Sequence, residues 1–181
     1  MNKFIAFCWE VLKIIVLALL IVIPIRYFLF QPFMVKGQSM IPSFHEGDYL
    51  IIDQISYRLR EPKRGEVIVF RFPDSPSQRF IKRIIGLPGE EIEVKDGQVT
   101  IYQNSESIIL DESDYLPYSL ETMGNLRESL GENEYFVLGD NRTVSSDSRR
   151  WGAVPEKNII GRVFFRLWPV NALAKIEAPA Y

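Results

Sequence analysis

The 181-residue chain has one cysteine and one histidine. Cys8 alone cannot close an intramolecular disulfide, and it reads as a small hydrophobe in an apolar stretch. Cys8 and His45 together cannot build a zinc site, so no metal or organic cofactor is expected. No basic stripe interleaved with aromatics occurs, which argues against a nucleic-acid partner. Lys and Arg number 21 against 23 Asp and Glu, for a net charge of -2. No internal repeat is present. Beyond the N-terminal stretch no long helical period appears, which excludes a helical bundle. A serine nucleophile in this chain would have to find an unusual base. His45 lies only six residues from Ser39 in the turn-like Phe44-His45-Glu46-Gly47 and reads as a surface residue.

What the chain does have begins with an apolar N-terminus. Ile14 to Ile25 is twelve residues without a charge, and residues 14–30 are seventeen positions with one. That is the short end of a membrane-spanning helix. Lys13 and Arg26 flank it and can snorkel to an interface. Tyr27, Phe28, Phe30 and Phe33 suit an interfacial aromatic belt. A cleaved secretory signal is the rival reading. It needs a small-residue site after the apolar run, and Arg26-Tyr27-Phe28-Leu29-Phe30 is bulky. The sequence therefore predicts an uncleaved anchor over 1–30 and a second domain over 31–181.

That second domain reads as mainly β, an irregular antiparallel sheet. Residues 49–52, 66–70, 79–85, 91–95, 98–102, 135–138 and 159–167 are strand-like runs of β-branched and aromatic residues. Asp96-Gly97 between two of them is a two-residue hairpin signal. Residues 103–134 are polar and acidic, with Arg127 the one basic residue among eight acids. They read as a solvated insertion between core strands.

Three blocks carry chemistry. Ser39 lies in Gly37-Gln38-Ser39-Met40-Ile41-Pro42, a tight connection that can expose a nucleophile. Lys82 shares one face of a predicted strand with Phe80 and Ile84. A lysine among large apolar groups has its pKa lowered by burial and can then serve as a base. Ser145, Asp147 and Arg149 alternate at i, i+2 and i+4. In an extended segment they would line one side, with Ser145 orienting the amine and Asp147 pairing with Arg149. Taken alone, each block has a plainer reading: a turn serine, a rim lysine, a hydrophilic loop with a surface ion pair.

Together the blocks closely resemble type I signal peptidases, of the small single-anchor kind found in Gram-positive bacteria. The resemblance rests on Ser39-Met40-Ile41-Pro42, Arg64 to Phe70, Lys82 to Glu90, and Gly139-Asp140-Asn141 through Ser145 to Arg149, in that order. It covers most of residues 30–165 and implies Ser39 as nucleophile and Lys82 as general base. Ser145, Asp147 and Arg149 would be supporting residues. Val35, Phe80 and Ile81, next to the catalytic positions, are expected to line the substrate site. The implied partners are secretory preproteins and membrane lipid. The implied setting is the cell membrane, crossed once, with a cytoplasmic N-terminus and an extracytoplasmic catalytic domain. Some members carry a serine two residues before the nucleophile that helps hold the oxyanion. Gly37 stands there instead, so the oxyanion would rely on the Ser39 N–H. Two other readings of the same residues are a Ser/Lys self-cleaving regulator and an inactive membrane-bound binder of exported chains.

Overall fold

The computed structural model describes residues 3–24, 30–104, 106–179 and 181. Arg26, Tyr27, Phe28 and Leu29, assigned above to the anchor's end and its aromatic belt, lie outside the described residues. The chain opens with helix α1 (Lys3–Pro24). Its apolar side chains are exposed, among them Phe4, Trp9, Ile14, Leu17 and Leu20. Among the described residues no helix is long and apolar enough to cross a membrane.

The remainder is antiparallel β, as its alternating and β-branched runs dictate. The larger sheet has eight strands. It comprises β1 (Phe30–Met34), β2 (Tyr49–Asp53), β3 (Val67–Phe72), β4 (Ser75–Gly86), β9 (Glu134–Leu138), β10 (Val154–Pro155), β11 (Ile159–Trp168) and β12 (Ala174–Lys175). Its order is β1-β2-β11-β3-β4-β9-β10, with β12 against β11. The smaller sheet, ordered β7-β6-β5-β8, contains β5 (Glu91–Lys95), β6 (Gln98–Gln103), β7 (Glu106–Ile109) and β8 (Leu126–Ser129). Asp96 and Gly97, both at positive φ, close the β5–β6 hairpin with Lys95 opposite Gln98. The link from β4 into β5 is held by Glu90, whose carboxylate takes a bidentate pair from Arg64 at 2.5 and 2.9 Å.

The polar segment 103–134 differs from a purely solvated insertion. It supplies β7 and β8 to the smaller sheet, and Leu110, Leu116, Thr122 and Leu130 are buried. Three of its leucines go inward, while Ile108, Ile109, Tyr118 and Met123 stay exposed.

Strand β4 positions the site. It pairs with β3 through Arg79–Arg83 and with β9 from Arg83 onward. From Ile81 to Gly86 every residue is buried. Ile81 joins the apolar cluster of Val35, Met40, Phe44 and Leu50, while Ile84 joins Ile68, Phe70 and Val137 on the other face. A strand covered on both faces has no solvent for a charged side chain to reach. The segment before Ile81 lacks β9 and keeps a free edge.

Candidate active site

Two buried apolar residues fix the serine loop. Met40 and Phe44 are each 1% exposed, and the Phe44 N–H donates to the Met40 carbonyl at 2.8 Å. Ser39 stands one residue before this plug, half-buried at the groove floor. Its backbone N–H has no hydrogen-bond partner among the described residues.

Lys82 reaches Ser39 from β4. Its Nζ lies 2.8 Å from Ser39 Oγ and donates to the Ile81 carbonyl at 2.9 Å. The residue is 4% exposed. Burial brings its pKa down to about 8, against the weaker opposing pull of the Asp147 and Asp140 charges. The Phe80 ring covers the amine at 5.5 Å. Near pH 8 about half the molecules therefore hold a free amine that can accept the Ser39 proton.

The 139–149 segment is tied to the serine loop. The Asn141 N–H donates to the Ser39 carbonyl at 3.0 Å, and Asn141 Nδ2 donates to the Gln38 carbonyl at 3.1 Å. A Cβ on Gly139 would lie 2.5 Å from the Ser39 carbonyl oxygen and collide with Ser145 Oγ. That close approach explains the glycine. Asp147 is fully buried. It takes a hydrogen bond from the Gly139 N–H at 3.1 Å and pairs with Arg149 at 2.8 and 2.9 Å. The two supporting residues thus meet, but not along an extended line. Asp147 is the N-cap of a short helix, α2 (Ser148–Trp151), accepting the Arg149 N–H. A capping side chain in the β region starting a helical turn follows from aspartate's N-cap preference. Arg149 then reaches the Met123 and Arg142 carbonyls.

Ser145 differs from expectation. It is buried, and its Oγ has no hydrogen-bond partner, so the bond to the lysine amine is not made. Val35 differs too. It is 2% exposed within the core, and the groove wall is formed instead by its neighbours Phe33, Met34 and Lys36. The chain leaves β1 after Met34, and Val35, tied by its backbone to Asp48 and Gly47, turns into the cluster of Met40, Phe44 and Leu50. Phe80 and Ile81 do line the groove, which has a volume of about 840 Å³. His45 is exposed.

Sequence reasoning missed the braces behind the site. Arg83, next to Lys82, is 4% exposed and makes a bidentate pair with fully buried Asp140 at 2.8 and 2.6 Å. Arg142, 1% exposed, pairs with Glu112 of the polar segment at 2.7 and 2.5 Å and donates to the Gly139 carbonyl. A charged residue inside an apolar strand was the available signal for Arg83. Glu112 had none among its many acidic neighbours. Among the described residues no cluster of His, Cys, Asp and Glu side chains could hold a metal ion.

A half-buried loop serine hydroxyl bonded to a buried lysine amine, with a free N–H at the serine, is the equipment of an acyl-transfer hydrolase. The comparisons narrow that class. Residues 8–168 match the family model of signal peptidase, peptidase S26, and the chain belongs to that family. It is 42% identical over 166 residues to a probable signal peptidase I-2 of Synechocystis, covering 89% of this chain and 73% of that one. It is 37% identical over 177 residues to a signal peptidase I of Leptolyngbya laminosa, covering 94% and 84%. It is 34% identical over 175 residues to signal peptidase I T of Bacillus subtilis, covering 91% and 88%.

Proposed function

We propose that this chain is a membrane-bound serine endopeptidase that removes signal peptides from exported preproteins, with Ser39 as nucleophile and Lys82 as general base. The observation that carries the reading is the 2.8 Å contact between Ser39 Oγ and a lysine amine buried at 4% exposure. Neutral Lys82 takes the hydroxyl proton as Ser39 Oγ attacks the scissile carbonyl carbon. The oxyanion that forms is met by the Ser39 N–H. The Lys82 ammonium then gives its proton to the departing amine, leaving an acyl-enzyme. A water that loses its proton to the same amine hydrolyses the ester and restores the serine. Asp147 and Arg149 act from behind, bracing the 139–149 segment whose Asn141 is tied to the serine loop, and Ser145 packs against Gly139 within it.

The substrate lies extended in the groove. Strand β1 pairs only with β2 among the described strands, and β4 is unpaired on one side before Arg83. Both edges offer backbone groups to an added peptide strand. Helix α1 is the single membrane anchor of this reading. Its support is a helix whose apolar side chains are exposed without a covering protein surface, the pattern of a helix meant for lipid. The N-terminus would be cytoplasmic and the 31–181 domain extracytoplasmic, with Phe33 and Met34 near the lipid surface.

The test is cleavage of a preprotein by the detergent-solubilised chain. Ser39→Ala and Lys82→Arg should each lose at least about 1,000-fold in kcat while keeping the wild-type melting temperature within a few degrees. Arginine cannot lose its proton in this range. Substantial turnover by Lys82→Arg would remove lysine as the base.

A further inference from the structure

The Phe80 ring covers the Lys82 amine from two residues earlier on the same face of β4, its centroid 5.5 Å from Nζ. That ring sits at the weak end of the strand. Strand β9 pairs with β4 only from Arg83 onward, and residues 76–79 are exposed. A strand residue has more than one favourable side-chain direction, so β4 alone does not hold the ring over the amine.

Three other aromatic rings do. Phe70 lies directly across the ladder from Phe80, with centroids 6.2 Å apart and planes at 81°. Phe72 stacks on Phe80 at 4.8 Å with the planes at 23°. The β3–β4 register shifts between Arg71 and Phe72. Such an irregularity re-aims the side chain beside it, and here that side chain meets Phe80. Trp151, the last residue of α2, closes the far side, 5.5 Å from Phe72 and 5.9 Å from Phe70. Its buried Nε1–H has no hydrogen-bond partner among the described residues. A buried donor left unpaired costs stability, so what this position takes from tryptophan is the ring. Phe72 and Trp151 are half-buried, and neither lines the groove. Their route to the reaction runs through Phe80.

Two opposed effects act on the amine beneath the ring. An aromatic face attracts an ammonium, and exclusion of water disfavours it. Water solvates an ammonium better than a ring does, so loss of the cover favours the charged form. The charges around the amine are set elsewhere. Asp147 and Asp140 favour the ammonium and are themselves held by Arg149 and Arg83. Lys36 of the serine loop and Arg79 of β4 line the groove. Strand β3 places apolar Ile68 opposite Lys82, and β9 brings Val137 and Leu138. Trp151 shares its helix with the Asp147 cap, so Phe72 is the residue that isolates the ring.

We propose that Phe72, backed by Trp151, is a positioning residue that holds the Phe80 ring over the Lys82 amine and so keeps water from the base. The proposal rests on the Ser39–Lys82 reading above and adds no chemical step.

The experiment follows kcat/KM from about pH 6.5 to about pH 10.5, with the full chain in nonionic detergent. Its substrate is an end-blocked peptide carrying no group that titrates in that range. The wild-type profile should rise with a midpoint near pH 8. Phe72→Leu keeps an apolar side chain, loses the stack, and should move that midpoint to about pH 9. That shift alone lowers kcat/KM about tenfold at pH 7, while the plateau above about pH 10 stays within about twofold. Phe72→Tyr keeps the ring and should keep the wild-type midpoint. A residue that only supports the fold would lower the plateau and leave the midpoint in place. An unmoved midpoint in Phe72→Leu therefore overturns the positioning role and leaves the peptidase reading standing. A midpoint that moves down would show that the ring acts by attracting the ammonium, and overturns the proposal too. If Phe72→Leu does not fold, Phe72→Met, whose flexible thioether refills the space, takes its place. Failure of both to fold makes Phe72 a residue of the fold and overturns the proposal. No cleavage by the wild type at any pH overturns the peptidase reading and the positioning role with it.

Discussion

Lys82 and Arg83 are neighbours on β4, both 4% exposed, and they are treated in opposite ways. The face behind the groove gives Arg83 a full set of partners. Asp140 takes two of its N–H groups, the Gly65 carbonyl a third at 2.8 Å, and the Tyr115 ring lies 4.0 Å from its carbon. Burial works against the charge there, but Asp140 more than offsets it and the pKa is raised. The face towards the groove gives Lys82 a hydroxyl, a carbonyl and an aromatic ring, but no carboxylate in contact. Burial wins there, and the pKa falls. One strand thus holds a permanent cation as a brace and a poised amine as a tool. The difference lies in a single carboxylate.

Removing that carboxylate is the harshest way to break the comparison. Asp140→Ala leaves the Arg83 guanidinium buried and unpaired, and should cost about 3–5 kcal/mol of stability. Denaturant midpoints of the wild type and the variant measure this. A loss below about 1 kcal/mol would mean that Arg83 relaxes into solvent and is no brace.

The same contrast shows what could be read from sequence. The burial of Lys82 and its contact with Ser39 were legible because an amine in an apolar strand stood in a familiar order after a loop serine. Ser39 was legible only in that company. The hairpin at Asp96-Gly97 was legible because its turn is local. Ser145 was placed in the right segment but given a bond it does not make, since hydroxyl rotamers follow from packing and not from spacing. Val35 was placed on the wrong side, because an apolar side chain suits a groove wall and a core equally, and nothing in the sequence shows which way the chain turns after β1 ends at Met34. The partnership of Glu112 with Arg142 spans 30 residues, and nothing local marks which acid of a polar segment turns inward.

Replacing the tool by an apolar isostere sharpens the comparison from the other side. Lys82→Met should abolish cleavage yet stabilise the fold at neutral pH. The sign follows from the lowered pKa. Below about pH 8 the ammonium is charged in both states, and the folded state carries the whole burial cost. Between about 8 and the ordinary 10.5 the unfolded chain holds more protons, so wild-type stability rises with pH. The variant's advantage should be about 2–3 kcal/mol at pH 7 and fade as pH approaches 10.5. Denaturation of both proteins across this window checks it. In parallel, wild-type kcat/KM should climb through about pH 8 as the amine is freed. An advantage that stays constant with pH would detach the effect from lysine's charge.

The smallest expected effect concerns the far wall of the oxyanion site. Gly37 has φ of 81°, and a Cβ built there meets nothing within 4 Å. Space would admit a serine, but the backbone would not welcome it, because an L-residue in this region pays about 1 kcal/mol relative to glycine. Gly37→Ser therefore sets a possible second oxyanion donor against a local strain. The free Ser39 N–H already serves the oxyanion in the proposed mechanism, so the added hydroxyl has little left to contribute. The variant should melt about 2–4 °C lower and keep its single-turnover acylation rate within about twofold of the wild type. An unchanged melting temperature with a tenfold faster acylation would show that this loop tolerates a side chain at Gly37 and that the Ser39 N–H alone leaves the oxyanion under-stabilised.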